Sequence, residues 1–311
     1  MLSFEEFMNE IVSRIKDYLP EEFADTTVSV YIQKVRKTND IHLHGVVVRK
    51  SNVSPSVSPT VYLETPYQDY QNGTSLEDIL TDLAHVIVKN TGNCPADISG
   101  INDFKKIKNM IRIKLVNAET NHNYLSDKIY TPIDNTDLVA AYFIDLAKMG
   151  ENHATVMITK ALFDTWHDID IQTLHETALH NVSDYASFMN IRTVLSELCH
   201  GQLPTEYNIP DDNVMYVLSS TDKYCGAASM LCPDTMDLVT DHVKRNNGNN
   251  PAFWLIPSSI SEILVLPCRE QISVADLKRM VEEVNATVLT PEEFLSDHVY
   301  IYTDHKLKIA A

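Results

Sequence analysis

The amino-acid sequence predicts an α+β fold with mixed or mostly antiparallel sheets, packed amphipathic helices and two or three subdomains. Short runs in which apolar and polar residues alternate, such as residues 41–49, are typical of half-buried strands. Apolar residues three and four positions apart, as over residues 4–19, are typical of helices that pack by one face. Because the strands come in hairpin-like pairs between helices, the element order favours α+β over a doubly wound parallel sheet.

The first region, residues 1–130, opens with the capping box Ser3–Glu6 and a helix that Pro20 stops. Two strands then flank a turn at residues 37–40. Ser75 caps a further helix, whose inward face is predicted to include Val86. In chain order, we expect a helix at 4–19, strands at 28–31 and 41–49, and a helix from 76.

The remaining elements are assigned to a middle region, residues 131–205, and a carboxyl-terminal region, residues 206–311. The boundary is placed at Gly201–Asp212, which contains two prolines and a glycine. We expect strands near 138–146 and 155–159, helices from 160 and 170, two strands before 233, a helix at 233–245, strands at 253–257 and 263–266, a helix at 273–285 and a strand at 299–303.

Composition and the amino-terminal residues predict a cytoplasmic protein that does not cross a membrane. No apolar run approaches the ~18 residues that a membrane span requires. Glu5, Glu6 and Glu10 stand where a secretory signal carries positive charge. The five cysteines are an odd number and form no C-x-x-C pair, so we interpret them as reduced thiols, with Cys225 as a packed one.

The formal net charge of −18 is concentrated in residues 151–311, where 10 basic residues face 23 acidic ones. Such a surface repels phosphate backbones, so the sequence predicts no direct nucleic-acid binding. It favours a protein partner with a basic surface, such as a nucleic-acid-binding protein. The one basic stretch, with lysines at 105, 106, 108 and 114 and Arg112, is interpreted as the solvent-facing side of an amphipathic element.

Two pairs of histidines are considered as metal ligands and rejected. His175 and His180 are five residues apart, which on a helix separates them by about 140°, so one ion cannot bind both from one face. His42 and His44 share one face of a predicted strand, but no further ligand stands at a recognisable spacing. The sequence therefore predicts no structural zinc and no cofactor.

The candidate functional surface combines two tyrosines with a predicted strand end, where functional loops commonly project from a sheet. It comprises Tyr67, Tyr70, Pro257, Ser258, Ser259 and Glu262. The alternative interpretation of the serines is a turn in which their hydroxyls bond to the backbone. No catalytic residue is assigned, because the serines lie outside a G-x-S-x-G motif and no base can be chosen among 12 histidines without geometry.

A set of motifs spread over nearly the whole chain resembles an uncharacterised protein family of gut-dwelling Gram-positive bacteria, whose members are often near mobile elements. The motifs are Tyr62–Glu64 with Tyr67, Tyr70 and Gly73, then Tyr216–Ser220 with Gly226–Ala228, Pro257–Glu262, Met280–Asn285 and Leu295–Tyr300. The resemblance implies no activity, cofactor or catalytic residue. Ser261 stands where relatives are expected to carry a histidine, which lowers the expectation of an enzyme.

Together these observations favour a non-catalytic interaction or regulatory protein with an acidic surface, acting on a basic partner in a mobile-element or host-defence context. The alternative is a hydrolase with an unrecognised site near Ser258, Ser259 and Glu262.

Overall fold

The computed structural model describes residues 1–23, 28–50, 60–90, 100–149, 152–199, 215–269 and 272–310. The chain forms two compact units, residues 1–99 and residues 100–311. Within the described residues, the strands pair antiparallel in three sheets and helices accompany them, which confirms the α+β fold. None of the described helices combines the length and the apolar content needed to cross a membrane.

The first unit holds a three-stranded sheet in the order β1–β2–β3. Its elements are α1 (Phe4–Arg14), β1 (Val28–Arg36), β2 (His42–Lys50), β3 (Thr60–Tyr62), α2 (Glu64–Gln71) and α3 (Leu76–Asn90). The capping box is confirmed, because the Ser3 hydroxyl accepts from the Glu6 amide and the Glu6 carboxylate accepts from the Ser3 amide. The predicted hairpin is also confirmed, with pairs from Val28–Lys50 to Arg36–His42.

The buried face of α3 differs from the prediction at one position. Leu80, Leu83, Ala84 and Ile87 are buried, whereas Val86 is 38% exposed. Positions 80, 83, 84 and 87 follow the 3.6-residue period, and Val86 falls beside that stripe. The prediction that Val86 faces inward is therefore wrong.

In the second unit, β6 pairs with three other strands to form a four-stranded sheet. The elements of this part are α4 (Phe104–Ile107), β4 (Ile111–Asn117), α5 (His122–Leu125), β5 (Tyr130–Pro132), β6 (Leu138–Met149) and β7 (Asn152–Met157). Strand β6 pairs with β7 through a register shift between Asp145 and Ala147. Such a bulge re-aims the side chains beside it.

The six-stranded sheet of the second unit has the order β13–β12–β10–β11–β9–β8. Its strands are β8 (Ala186–Asn190), β9 (Tyr216–Ser220), β10 (Phe253–Ser259), β11 (Glu262–Pro267), β12 (Tyr300–Thr303) and β13 (Lys306–Ile309). The helices are α6 (Lys160–Phe163), α7 (Ile171–Tyr185), α8 (Ile191–Leu198), α9 (Pro233–Asn246) and α10 (Val274–Thr287).

One apolar core joins the two sheets of this unit. It includes Tyr142 of β6, Leu174 of α7, Leu218 of β9, Val239 of α9 and Tyr300 of β12, all fully buried. The buried hydroxyl of Tyr300 also donates to Asp137, beside the start of β6. Elements from both sheets are therefore fixed relative to one another, and side chains from both can form a common site.

Residues 226–231 form a 3-10 helix, so the strand expected just before Pro233 is wrong. The cause is a close backbone approach at Gly226. A Cβ there would lie 2.3 Å from the Ser220 amide nitrogen and 2.6 Å from the Ser261 carbonyl oxygen. Strands β4, β5, β8 and β13 are not among the expected strands.

The expected division at residues 130 and 205 stays a prediction. Strand β4 of the expected first region pairs with β6 of the expected middle region, from Ile111–Ile144 to Asn117–Leu138. The expected boundary segment, Gly201–Asp212, lies outside the described residues.

Candidate functional site

One face of the four-stranded sheet carries a row of polar side chains. Arg112 of β4 is opposite Phe143 of β6, and Asp145, two residues further along β6, is opposite Thr155 of β7. Side chains two residues apart on a strand share a face, so Arg112, Asp145, Thr155 and His153 point to the same side. The strand register therefore brings these groups together.

The loop after β9 supplies the opposite side of the site, with Asp222 and Tyr224. Its conformation is fixed by Ser220, whose hydroxyl donates to Asp222 Oδ1 at 2.7 Å and accepts from the Tyr224 amide at 3.1 Å. Lys223 and Cys225 have φ angles of 59° and 51°. Non-glycine residues in this left-handed region are strained, and such strain is concentrated at functional sites.

Arg112 lies at the centre of the charged cluster, which we define as Arg112, Asp145, His153 and Asp222. Its Nη1 donates to Asp145 Oδ2 at 3.0 Å and to Asp222 Oδ2 at 2.5 Å. Its Nη2 donates to Asp222 Oδ1 at 3.2 Å and to the carbonyl of Tyr224 at 2.8 Å. The planar guanidinium carries several N–H donors, so it can bond to two carboxylates at once. It also lies 4.8 Å from the ring centre of Tyr185.

His153 is held by Asp145 on one side of its ring and covered by an aromatic ring. Its Nδ1 lies 2.9 Å and 3.0 Å from the two oxygens of Asp145. The ring of Tyr224 stacks on it at 4.2 Å between centroids. The other ring nitrogen, Nε2, is buried, has no hydrogen-bond partner in the described residues and lies 4.0 Å from Asp222 Oδ2.

Burial, hydrogen bonds and charge shift the pKa values of groups in the cluster and beside it. Burial raises the pKa of Asp222, but hydrogen bonds from Arg112 and Ser220 and the charge of Arg112 outweigh it and lower that pKa to about 2. Burial lowers the pKa of Arg112, but its bonds to both aspartates outweigh burial and raise it. Burial raises the pKa of Tyr224 to about 12 and that of Cys225 to about 11. The Cys225 thiol is therefore protonated at neutral pH and is a poor nucleophile.

The sequence analysis missed this cluster and misassigned one of its members. The side chain of Arg112 is 5% exposed, so the interpretation that it lies on the solvent-facing side of an amphipathic element is wrong. The physical reason is that two carboxylates from distant parts of the chain neutralise it in the interior. A polar residue between Ile111 and Ile113 on a strand was the available signal, but its partners stand far away in the sequence.

The lowered pKa of Asp222 predicts a defined acid dependence of stability. A carboxyl whose pKa is lower folded than unfolded stabilises the fold above its unfolded value of 3.8, and this contribution disappears as pH falls towards 2. We expect Asp222→Asn to lower the urea midpoint at neutral pH and to flatten its fall between about pH 4 and pH 2. The exposed Asp168→Asn is the control. An unchanged acid profile for Asp222→Asn would contradict the prediction.

A second candidate site is an acidic groove between α9 and the β12–β13 hairpin. It has a volume of about 410 Å³, and its lining includes Asp237, Asp241 and Asp304, with Tyr302 and Lys244. The three aspartates are exposed, whereas Tyr302 is 9% exposed. We call this feature the acidic groove.

The hairpin turn fixes the position of one groove carboxylate. Asp304 and His305 have φ angles of 51° and 56°, which is the backbone of a two-residue type I′ turn. His305 Nδ1 lies 3.2 Å from the Asp237 carboxylate, so the hairpin also contacts α9. The carboxylates are therefore presented by a helix and a tight hairpin rather than by a long loop.

The predicted residues 257–262 lie at the β10–β11 hairpin. The Ser258 hydroxyl donates to Glu262 Oε1 at 2.8 Å, and the Ser259 hydroxyl accepts from the Ser261 amide. Pro257 lies beyond the pairs that β10 makes with β12, so its missing amide donor costs no ladder bond on that side. The hairpin packs against Gly226, because the Ala227 amide donates to the Ile260 carbonyl.

Tyr67 and Tyr70 lie on α2 in the first unit. The Tyr67 hydroxyl donates to the Leu2 carbonyl, and the Tyr70 hydroxyl accepts from the Leu2 amide. Both rings also pack against Phe7. These contacts hold the amino terminus against α2, and nothing in the described first unit assigns them a ligand.

The two histidine pairs are not brought together with further ligands among the described residues. His175 Nδ1 lies 2.8 Å from the Tyr142 hydroxyl, and burial lowers the pKa of His175. His44 Nδ1 lies 3.2 Å from Glu64, and His42 Nε2 lies 3.6 Å from Asp40. The described group of metal-ligating side chains is a different one, Asp145, His153 and Asp222.

Comparison with known proteins identifies the family of the chain. A family model described as a family of unknown function (DUF5688) matches residues 4–304, so the chain belongs to that family. No curated protein and no solved structure matches the chain. The expectation of an uncharacterised family is thereby confirmed.

Proposed function

We propose that this member of a family of unknown function is a non-catalytic interaction protein whose acidic groove binds lysine and arginine side chains of a basic protein partner. The observation that carries the proposal is the set of three exposed carboxylates, Asp237, Asp241 and Asp304, around one groove of about 410 Å³. The resemblance noted from the sequence extends the proposal to a cytoplasmic role in a mobile-element or host-defence context.

The lining of the acidic groove suits a long cationic side chain. Tyr302, stacked on Phe253 at 5.2 Å between centroids, offers a fixed aromatic surface for the apolar stem of a lysine or arginine. Lys244 also lines the groove, so the lining carries three acidic groups against one lysine.

The charge of the chain supports the same class of partner. The net charge of −18 attracts cationic surfaces over distances comparable to the Debye length, about 8 Å at physiological ionic strength. Such attraction raises the association rate and depends on salt. We therefore expect binding that weakens steeply as the salt concentration rises.

The test is fluorescence anisotropy with a labelled arginine-rich peptide and a neutral peptide of equal length. We expect the triple variant Asp237→Asn, Asp241→Asn, Asp304→Asn to lose roughly 3- to 150-fold of the affinity for the basic peptide, since each exposed ion pair is worth about 0.2–1 kcal/mol. Asparagine tolerates the left-handed backbone at position 304, so the turn is kept.

The matched control removes the same number of charges elsewhere, by Asp168→Asn, Glu282→Gln and Glu283→Gln. None of these lines the acidic groove. We expect the control to bind the basic peptide within about twofold of the wild-type chain. Equal losses in the two triple variants would show that net charge alone attracts the peptide, and the groove would then not be the binding site.

One contact favours a second candidate, a hydrolase at the β10–β11 hairpin. The Ser258 hydroxyl donates to Glu262, which is the direction needed for a carboxylate to accept the hydroxyl proton. Hydrolysis of an activated ester that is lost in Ser258→Ala and kept in the groove triple variant would favour this candidate. Loss of ester hydrolysis in Ser258→Ala would indicate the hydrolase. Loss of peptide binding in the groove triple variant would indicate the interaction protein.

A further inference from the structure

A cleft between α5 and β5 lies in the second unit and shares no lining residue with the acidic groove. We call it the α5–β5 cleft. Its volume is about 350 Å³, and small-molecule pockets commonly measure about 300–1,000 Å³. Its lining includes Leu125 and Val139, which are 4% and 3% exposed. A ligand in the cleft would therefore lie on an apolar floor.

One wall of the cleft comes from β5. Tyr130 and Pro132 line the cleft, and they are opposite Ala141 and Val139 of β6. Directly opposite residues of an antiparallel pair point to the same side of the sheet, so both side chains lie on the side of Val139. Both are exposed, Tyr130 at 38%. An aromatic ring and a proline ring beside a buried valine offer apolar surface that a ligand would remove from water.

Lys160 adds an ammonium group to the lining of the cleft. Its amide donates to the Asp127 carbonyl at 2.8 Å, and its Nζ donates to the carbonyl of Ser126, another lining residue, at 2.7 Å. An ammonium group carries three N–H donors, so the bond to Ser126 leaves two for an anion. A carboxylate that accepts from them would form charge-assisted hydrogen bonds.

The lining of the cleft is basic, although the chain is strongly acidic. Lys160 and His122 belong to it, and no aspartate or glutamate is among its described residues, although the chain has 43 acidic residues. An acidic neighbour of Lys160 is Asp127, whose carboxylate is paired with Lys128 at 2.8 Å. Exposed charges farther away than the Debye length, about 8 Å, are largely screened. The net charge of −18 therefore does not exclude an anion from the cleft.

We propose that the α5–β5 cleft binds a small organic acid with an apolar tail, such as a medium-chain fatty acid. Its carboxylate accepts from Lys160 Nζ, and its tail lies against Leu125, Val139 and Tyr130. The proposal is independent of the acidic groove, which is proposed to bind the opposite charge. Because the cleft offers one lysine and a small apolar surface, we expect a dissociation constant on the order of 0.1–1 mM for octanoate.

The test is a titration of the ¹⁵N-labelled full chain with octanoate, followed by amide chemical shifts. Two further probes separate the parts of the ligand, since acetate keeps the charge without the tail and octanamide keeps the tail without the charge. We expect octanoate to give saturable shifts at Leu125, Tyr130, Val139 and Lys160, and both other probes to bind more weakly. Equal binding of octanamide and octanoate, or octanoate shifts centred outside the cleft, would overturn the proposal.

A charge reversal at Lys160 tests the contact to the carboxylate. Lys160→Glu should weaken octanoate binding roughly 2- to 30-fold, because it replaces the attraction of an exposed ion pair by a repulsion of similar size. It should leave octanamide binding unchanged. Lys105→Glu is the matched control, since it makes the same change of charge at an exposed lysine that does not line the cleft. Equal losses in the two variants would overturn the proposal.

A replacement of Tyr130 tests the apolar wall and covers the case in which Lys160→Glu does not fold. The side chain is 38% exposed, so Tyr130→Ser should keep the fold. We expect this variant to bind octanoate and octanamide more weakly by similar factors, because both lose the same apolar contact. Unchanged octanoate binding by Tyr130→Ser, or no saturable binding by the wild-type chain up to about 10 mM octanoate, would contradict the proposal.

Discussion

Replacement of Arg112 by methionine is expected to destabilise the second unit by about 3–5 kcal/mol, because it leaves two carboxylates in the interior without their cation. Asp145 and Asp222 are 14% and 10% exposed at their side chains, and Arg112 bonds to both. The measurement is urea unfolding of the full chain. We expect the loss to shrink as pH is lowered, since protonation of Asp222 removes one of the uncompensated charges.

The chain provides a matched control for Arg112 and a rescue. Arg279 pairs with Asp276 at 2.8 Å, but the two side chains are 77% and 63% exposed, so Arg279→Met should cost no more than about 1 kcal/mol. Adding Asp145→Asn and Asp222→Asn to Arg112→Met should restore part of the lost stability, because it removes the two uncompensated negative charges. A loss for Arg112→Met as small as that for Arg279→Met would contradict the account of the cluster.

Replacement of Gly226 by alanine is expected to cost about 3 kcal/mol or more, because the added methyl group meets backbone on three sides. Its Cβ would lie 2.3 Å from Ser220 N, 2.6 Å from Ser261 O and 2.7 Å from Ser219 C. These atoms belong to β9 and to the turn of the β10–β11 hairpin, and neither can rotate aside as a side chain can.

Gly248 is the control for Gly226, because an alanine at position 248 has a left-handed backbone but enough space for its Cβ. It has a φ of +57° and nothing within 4 Å of an added Cβ. Gly248→Ala should therefore cost only about 1 kcal/mol, the price of a left-handed alanine. Thermal unfolding of both variants measures the difference. If Gly226→Ala unfolds at the same temperature as Gly248→Ala, the close approach at Gly226 is not a constraint.

Much of the fold could be predicted because local patterns decide it. The capping box at Ser3, the hairpin around residues 37–40 and the helix after Pro233 depend on residues within one turn or one strand. The 3-10 helix at 226–231 could not be predicted from local patterns. Its cause is the approach of Gly226 to Ser261, a contact between chain segments that no local period records.

The same distinction between local patterns and contacts of distant chain segments applies to the candidate sites. The resemblance drew attention to Tyr216–Ser220 and Gly226, and the structure shows that Asp222 and Tyr224 lie in the loop between them. The charged cluster itself depends on strand register and on the packing of two sheets, so Arg112 looked like one basic residue among several. In the sequence, the acidic groove could be detected only as an excess of negative charge. Its aspartates come from α9 and from the β12–β13 turn, which are far apart along the chain.

The most direct measurement of the central claim, that the acidic groove binds a basic partner, is a titration of the ¹⁵N-labelled chain with the arginine-rich peptide, followed by amide chemical shifts. The account predicts saturable shifts concentrated at Asp237, Asp241, Tyr302 and Asp304, which weaken as salt is added. Shifts spread over the acidic surface in general, or centred on the β10–β11 hairpin with none in the groove, would contradict it.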